Sequence, residues 1–467
     1  MTKVKDTLGS EIEKKEKETS LVNEFLLIDP KHLAKAIFNA ELPEQVVREI
    51  PPLNLYMAIE QNGLISSVDL IDIMTVKQRR IVLDLDCWQN DKFNEANFFS
   101  WLSLTDEENS LELLKKIFAS SDLKLVSFLL GKYLTVHYQT EPTDLPPAGD
   151  FYTPDKGYTW IKVETNNIDY DFLLKRLLAL IFDISRELFY QIISVQTVCT
   201  PSELEETAYK EKSDRLASEG IPTFEEAIEI NRPITKSKIL EKIKKIKKPP
   251  REPLINITPL SIKDDMDEPL KSFIANIKDI HTALSELSRI LNASIVFYER
   301  SFNNIENIYA LSEKIKGILN IGLEKLLEDS EIKERIDTIY PIVNLQDIYK
   351  YGLNFVRDLR NKALKILKEK EDSLSLIELE IVKSLSEAIP ALPSFVKNEN
   401  EFIKETSYSQ VRGSGNRSDN RNDNESNNEN NNKSNYENIE RLITGKKALR
   451  NYNDIIISNR LLEKINS

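Results

Sequence analysis

Residues 29–63 read DPKHLAKAIFNAELPEQVVREIPPLNLYMAIEQNG, and this stretch decides the fold class. Asp29-Pro30 is a helix start, because the carboxylate can cap free backbone N–H groups and the fixed φ of proline suits a first turn. Leu33, Ile37 and Phe38 share one helical face until Leu42-Pro43 interrupts it. Val46, Val47 and Ile50 repeat the pattern up to Pro51-Pro52, and Leu55, Ala58 and Ile59 repeat it up to Asn62-Gly63. Short helices separated by breakers cannot each bury a face alone, so they must stack on one another. The reading is a degenerate α-superhelix.

Working outward, the same pattern predicts helices over Val68 to Arg80 and after Thr105-Asp106-Glu107-Glu108, a capping box leading into Leu111, Leu114, Ile117 and Phe118. One β-hairpin is expected at about 150–163, where Phe151-Tyr152-Thr153 and Tyr158–Val163 flank the turn Pro154-Asp155-Lys156-Gly157. A single long helix is predicted from Asp169 to Val198. A second capping box, Thr200-Pro201-Ser202-Glu203, opens the next helix, and Thr223 opens one that Pro233 ends.

The expected organisation is a charged, disordered leader over 1–20 and a superhelix-like domain over 21–235. A Lys/Pro-rich linker follows over 236–262, with some helical character around Ile239, Ile243 and Ile246. A helical bundle should occupy 263–405, with helices at Leu270 to Arg300, Ile305 to Leu327, Leu345 to Lys370 and Leu374 to Ala388. Residues 406–438 are Asn-rich and almost free of apolar side chains, so disorder is expected there. A last helix, Ile439 to Ile465 in the C-terminal stretch 439–467, presenting Leu442, Leu449, Ile456 and Leu461, should dock on the bundle.

Composition narrows the function classes. With 467 residues, 40% hydrophobic and 30% charged, the chain can build more than one core, while only 12 glycines argue against turn-rich β architecture. A net charge of -13 repels phosphate backbones, which makes nucleic acid an unlikely partner. Two distant cysteines, Cys87 and Cys199, form no disulfide framework and read as buried residues of a cytoplasmic protein. The charge-alternating N-terminus has no apolar core of the signal-peptide kind, and charges interrupt the most apolar stretch, Phe172 to Val198, too often for a membrane span.

The segments Leu83-Asp84-Leu85-Asp86-Cys87-Trp88-Gln89-Asn90-Asp91 and Pro201-Ser202-Glu203-Leu204-Glu205-Glu206-Thr207-Ala208-Tyr209, with Arg215-Leu216 and Gly220-Ile221-Pro222, resemble an uncharacterised bacterial family of unknown function. The resemblance implies a shared fold and carries no activity or cofactor. Residues 27–134 are also similar in architecture to the α-superhelical N-terminal domain of magnesium transporters, whose membrane part has no counterpart here.

Candidate chemistry is sparse. His32, His137 and His281 belong to no ligand-spaced motif, and no cofactor is expected. Asp84, Asp86 and Asp91 with Asn90 fail the calcium-loop pattern at Trp88, so Asp86 or Asn90 is read as a helix cap and Trp88 as a packing anchor. Glu203 and Glu206 have the i, i+3 spacing of di-iron bundles without the companion histidines. Glu206, Tyr209 and Arg215 are the first binding candidates because they match the family segment, with Trp88 and Asp86 beside them. The leading expectation is a non-enzymatic interaction or scaffold protein with an unknown protein partner. One alternative is an enzyme with a carboxylate and tyrosine site near Glu206 and Tyr209. A second is attachment to anionic lipid or nucleic acid through Lys242–Lys248.

Overall fold

The computed structural model describes residues 25, 28–89, 91–104, 111–142, 145–195, 198–245, 266–277, 280–300, 302–330, 332–333, 343–396 and 445–467. The leader, Asn90, the capping box at Thr105–Glu108, residues 246–262 of the linker and the Asn-rich stretch lie outside them. The chain is mainly α and divides into two compact units, the first running to Thr223 and taking in Ser301–Ile305, the second beginning at Phe224.

The first unit opens with α1 (Pro30–Phe38), α2 (Pro43–Glu49) and α3 (Pro52–Asn62), each beginning at the proline that the sequence marks. Asp29 caps α1 by accepting from the Lys31 N–H at 2.9 Å, and Gly63 ends α3 at φ +83. Next come α4 (Val68–Ile73) and α5 (Val76–Asp86), where one helix to Arg80 was expected. They are separate because Thr75 and Gln78 form a capping box that restarts the chain. α1 packs on α3, α3 on α5, and α5 on α7 (Leu111–Ser120), the serial stacking expected of short helices. α3 is buried from Pro52 to Ile59 and forms the centre of this stack.

Trp88–Gln89 (β1) and Lys92–Phe93 (β2) pair as a short hairpin before α6 (Glu95–Ser103). α8 (Leu123–Tyr133) leads directly into β3 (Leu134–Tyr138), which pairs antiparallel with β4 (Thr159–Val163). The second strand of the expected hairpin is in place, but its main partner is Leu134–Tyr138. Tyr152 contributes only a bridge to Ile161. The turn lies where Pro154–Gly157 predicted it, with Lys156 at φ 62 and Gly157 at φ 108. A Cβ on Gly157 would lie 2.9 Å from the Pro142 carbonyl.

The expected helix from Asp169 to Val198 is two, α9 (Ile168–Ile184) and α10 (Arg186–Ser194). Ser185 is extended at φ -161 and caps α10 by accepting from the Leu188 N–H, so the apolar run turns a corner. α11 (Pro201–Ser218) begins at Thr200 with the predicted capping box and buries Leu204, Ala208 and Leu216.

The second unit starts earlier than residue 235. α12 (Phe224–Ile230) packs Ala227 and Ile230 against Ala293, Val296 and Phe297 of α15 (Ile280–Phe297). Residues 236–245, read as linker, form α13 (Lys236–Lys245) and bury Ile239. Leu270 to Arg300 is interrupted, giving α14 (Leu270–Ala275) ahead of α15. α16 (Ile305–Leu327), α17 (Leu345–Lys370) and α18 (Leu376–Ser386) follow the periodicity, and Ser375 with Glu378 forms the predicted capping box. β5 (Ala391–Pro393) pairs with β6 (Lys446–Ala448), and α19 (Tyr452–Asn466) docks on α17. α19 begins at Tyr452 and not at Ile439, because β6 occupies Lys446–Ala448 and Asn451 and Asp454 form a capping box. Its docked face is Ile455, Leu461, Leu462 and Ile465, while Leu449 lies ahead of the helix, Ile456 is turned outward and Leu442 lies outside the described residues.

Two constraints fix this bundle. Asn231 is fully buried, where its side-chain oxygen Oδ1 accepts from Tyr349 Oη at 2.8 Å and Ser294 Oγ at 3.2 Å, tying the end of α12 to α15 and α17. Glycines set the approach of α16 and α17: a Cβ on Gly352 would lie 2.1 Å from the Ile318 carbonyl, and one on Gly322 would lie 2.4 Å from that of Ile348. Both obstacles are backbone and cannot swing away. Gly352→Ala is therefore expected to destabilise the second unit by about 3 kcal/mol, the upper end of ordinary overpacking costs. Urea unfolding checks this, and a loss under about 1 kcal/mol would show that the helices separate freely.

Candidate functional site

α5 and α11 carry most of the sequence candidates. The Arg215 guanidinium binds Asp84 with two bonds, Nε to Oδ2 at 2.7 Å and Nη2 to Oδ1 at 2.9 Å, while Nη1 donates to Asp122 Oδ2 at 3.0 Å. Asp84 and Asp122 side chains are only 6% and 7% exposed. Burial works against charge on Arg215, but the bonds and attraction from Asp84 and Asp122 outweigh it and hold the guanidinium charged. Asp122 also caps α8 by accepting from the Lys124 N–H at 2.9 Å. One arginine thus fastens α11 to α5 and to the start of α8.

Nearly two turns back along α11, Tyr209 lies 5.8 Å from the Trp88 ring, and Trp88 lies 5.8 Å from Phe93. Lys212 places its Nζ 5.2 Å from the Trp88 centroid and 4.9 Å from that of Tyr209. Burial pushes the Lys212 amine down to about 8, against the attraction of Asp84 and Asp91. A lysine whose folded value is depressed costs stability where it must be charged. That cost fades as pH rises from about 8 towards the unfolded value near 10.4.

The structure therefore brings Trp88, Tyr209 and Arg215 onto one side of α11 and separates the other two candidates from them. Glu206 is exposed, and it is Glu205 that reaches inward, accepting from the Phe93 N–H at 3.2 Å. Asp86 does not cap a helix. It is the last residue of α5, and its carboxylate accepts from Trp101 Nε1 at 2.7 Å, on the α6 side. Asn94 supplies the cap of α6 instead. Burial raises the Asp86 carboxyl, and Glu60 is pushed up to about 7 by burial and by Asp86. Sequence reasoning missed Lys212 and the Asp84–Arg215–Asp122 pairing; Arg215 and Asp84 are 131 positions apart, and no local pattern joins them. Cys87 is buried as read, whereas Cys199 is partly exposed. Among the described residues no group of three His, Cys, Asp or Glu side chains is placed to hold a metal ion.

A second feature lies at the corner between α9 and α10. A half-open apolar pocket of about 230 Å³ is lined by Tyr152 and Pro154, by Leu178, Ala179 and Phe182 of α9, and by Phe189 of α10, with Asp183 on its wall. Phe182 and Phe189 meet edge to face at 5.2 Å, an arrangement the Ser185 corner makes possible. The loop carrying Tyr152 and Pro154 is fixed by Asp155, which accepts from Tyr190 Oη at 2.5 Å and from the Thr159 N–H at 2.8 Å. Burial opposes the Asp155 charge, yet these bonds prevail and hold its carboxyl below the ordinary value. Among the described residues the buried Tyr152 hydroxyl has no hydrogen-bond partner.

These features define a two-unit helical protein with an internally paired polar cluster and a separate apolar pocket. The sequence matches the model of a family of unknown function, DUF6178, over residues 11–399, and the chain belongs to that family. No curated protein and no solved structure matches it. Among the described residues, no helix is long and apolar enough to cross a membrane.

Arg215→Ala leaves Asp84 and Asp122 buried without their partner and is expected to cost about 3–5 kcal/mol, whereas Asp84→Leu combined with Arg215→Met, which orphans only Asp122, should cost less than the single change. Chemical denaturation of both variants checks this. Equal losses would mean that the pair is stabilising in its own right.

Proposed function

We propose that the chain is a non-enzymatic interaction protein of the cytoplasm, with the first unit as its binding module for a protein partner. The observation that carries this reading is the α9–α10 pocket, a concave apolar surface open to solvent with no paired acid and base among the residues lining it. The commitment of Arg215 supports it as well. All three hydrogen bonds of that guanidinium go to Asp84 and Asp122, which supports a structural clamp rather than a group waiting for substrate. Affinity capture by the intact chain from its native cell extract, at low salt, is expected to return one reproducible protein partner. An empty capture would remove the main support for this reading.

A second reading, an enzyme with a site beside Tyr209, is favoured by one observation. The Lys212 amine, flanked by two aromatic rings, has a substantial neutral fraction near pH 8, the form in which lysine attacks carbonyl carbon. Glu206 has no place in that site because it faces solvent. The Nζ resonance of Lys212 should titrate with a midpoint near 8 by nitrogen NMR. A midpoint near 10.4 would show an ordinary hydrated lysine and end the enzyme reading.

Attachment to anionic lipid or nucleic acid through Lys242–Lys248 gains little. Lys242 Nζ is bound to the buried Asp347 carboxylate at 2.6 Å, which neutralises one of the charges on which that reading depends.

A further inference from the structure

The outward side of α9 departs from the usual pattern of a solvated helix face. Ile168 is 84% exposed and Phe172 52%, and further along the same stripe Ala179 and Asp183 are also exposed. At 1.5 Å per residue the stripe from Ile168 to Asp183 is about 22 Å long, enough to lie along a short peptide segment. Its basic member, Lys175, is already bound to Asp171 at 2.7 Å.

At one end of the stripe, the small side chain of Ala179 leaves the space that the Phe182 and Phe189 rings enclose. The pocket, at about 230 Å³, is smaller than the roughly 300–1,000 Å³ typical of small-molecule sites. It suits an anchoring side chain better than a metabolite. The charge on its wall is the second guide. Arg186 lies over the Phe182 ring at 5.3 Å, whereas Asp183 has no ion pair among the described residues. An unpaired carboxylate beside an apolar cup, on a chain of net charge -13, favours a cationic neighbour and repels an acidic one.

We propose that this pocket receives a segment of a partner protein that inserts one aromatic or branched apolar side chain and places a lysine or arginine on Asp183, a refinement that rests on the interaction reading above. Ala179 and Asp183 set its specificity, one through the room it leaves and the other through its charge. The exposed Phe172 and Ile168 extend the contact along α9.

The test is a selection of random dodecapeptides displayed on phage against the intact chain. The selected peptides are then resynthesised, and their affinity is measured for the natural sequence, Ala179→Trp and Asp183→Lys. Both substitutions fall at exposed helical positions, and circular dichroism checks that the fold is kept. The expected peptides carry an aromatic or branched residue within a few positions of a lysine or arginine. Ala179→Trp should weaken them roughly tenfold or more, as loss of a central anchor pocket does. Asp183→Lys should weaken them more at low salt than at high salt. Peptides that bind Ala179→Trp as tightly as the natural sequence overturn the site while leaving the interaction reading in place. Unchanged binding to Asp183→Lys overturns the basic residue. If the selection yields no binding peptide the proposal fails, and capture of the natural partner decides the broader reading separately.

Discussion

The first unit depends on the satisfaction of polar groups buried by stacking short helices. Every helix leaves carbonyls unpaired at its end, and a stack of short helices buries many such ends. α5 answers much of this demand. Its Gln78 donates to the carbonyls of Val47 and Ile50 at 2.6 and 2.8 Å, covering the end of α2 where Pro51 stops the chain. The next residue, Arg79, is 3% exposed and donates to the Ile71 and Met74 carbonyls at the end of α4 and to Ser120 of α7. Asp84, further along, receives Arg215. A helix that looks polar by composition is therefore central to the unit, because its polar side chains complete the backbone of its neighbours.

The second unit meets a different constraint, the closeness of long helices. Gly322 and Gly352 allow α16 and α17 to approach until only hydrogen atoms fit between their backbones, and Gly317 does the same beneath Leu449, just before α19. The buried cluster of Asn231, Ser294 and Tyr349 fixes the register of α12 against α15 and α17. Arg357 adds a bond to the Asn231 carbonyl at 2.8 Å. Such a cluster stabilises only while every member is paired, so it specifies one arrangement of the helices.

The candidate residues around α11 divide along the same lines. Arg215 is an architectural residue, and Trp88 and Tyr209 form the aromatic wall on which Lys212 rests. Asp86 serves the α6 side through Trp101. One open place in the unit is the corner at Ser185, where a break in an apolar run places two phenylalanines around an unfilled space.

The sequence by itself determined the helical class, because the prolines at positions 30, 43 and 52, the capping boxes at Thr200 and Ser375 and the apolar periodicity are all local signals. It also marked the turn at Pro154–Gly157, since proline and glycine act through their own dihedral angles. Only the tertiary structure decided that β4 pairs with Leu134–Tyr138, that the apolar run breaks at Ser185, and that 236–245 belongs to a packed helix. It alone decided that Glu205 and not Glu206 faces inward, and that Arg215 meets Asp84 across 131 positions. The physical reason is range. Caps, turns and helical faces depend on neighbours within a few residues, whereas a buried charge finds its partner, and a pocket its walls, only once distant segments have packed.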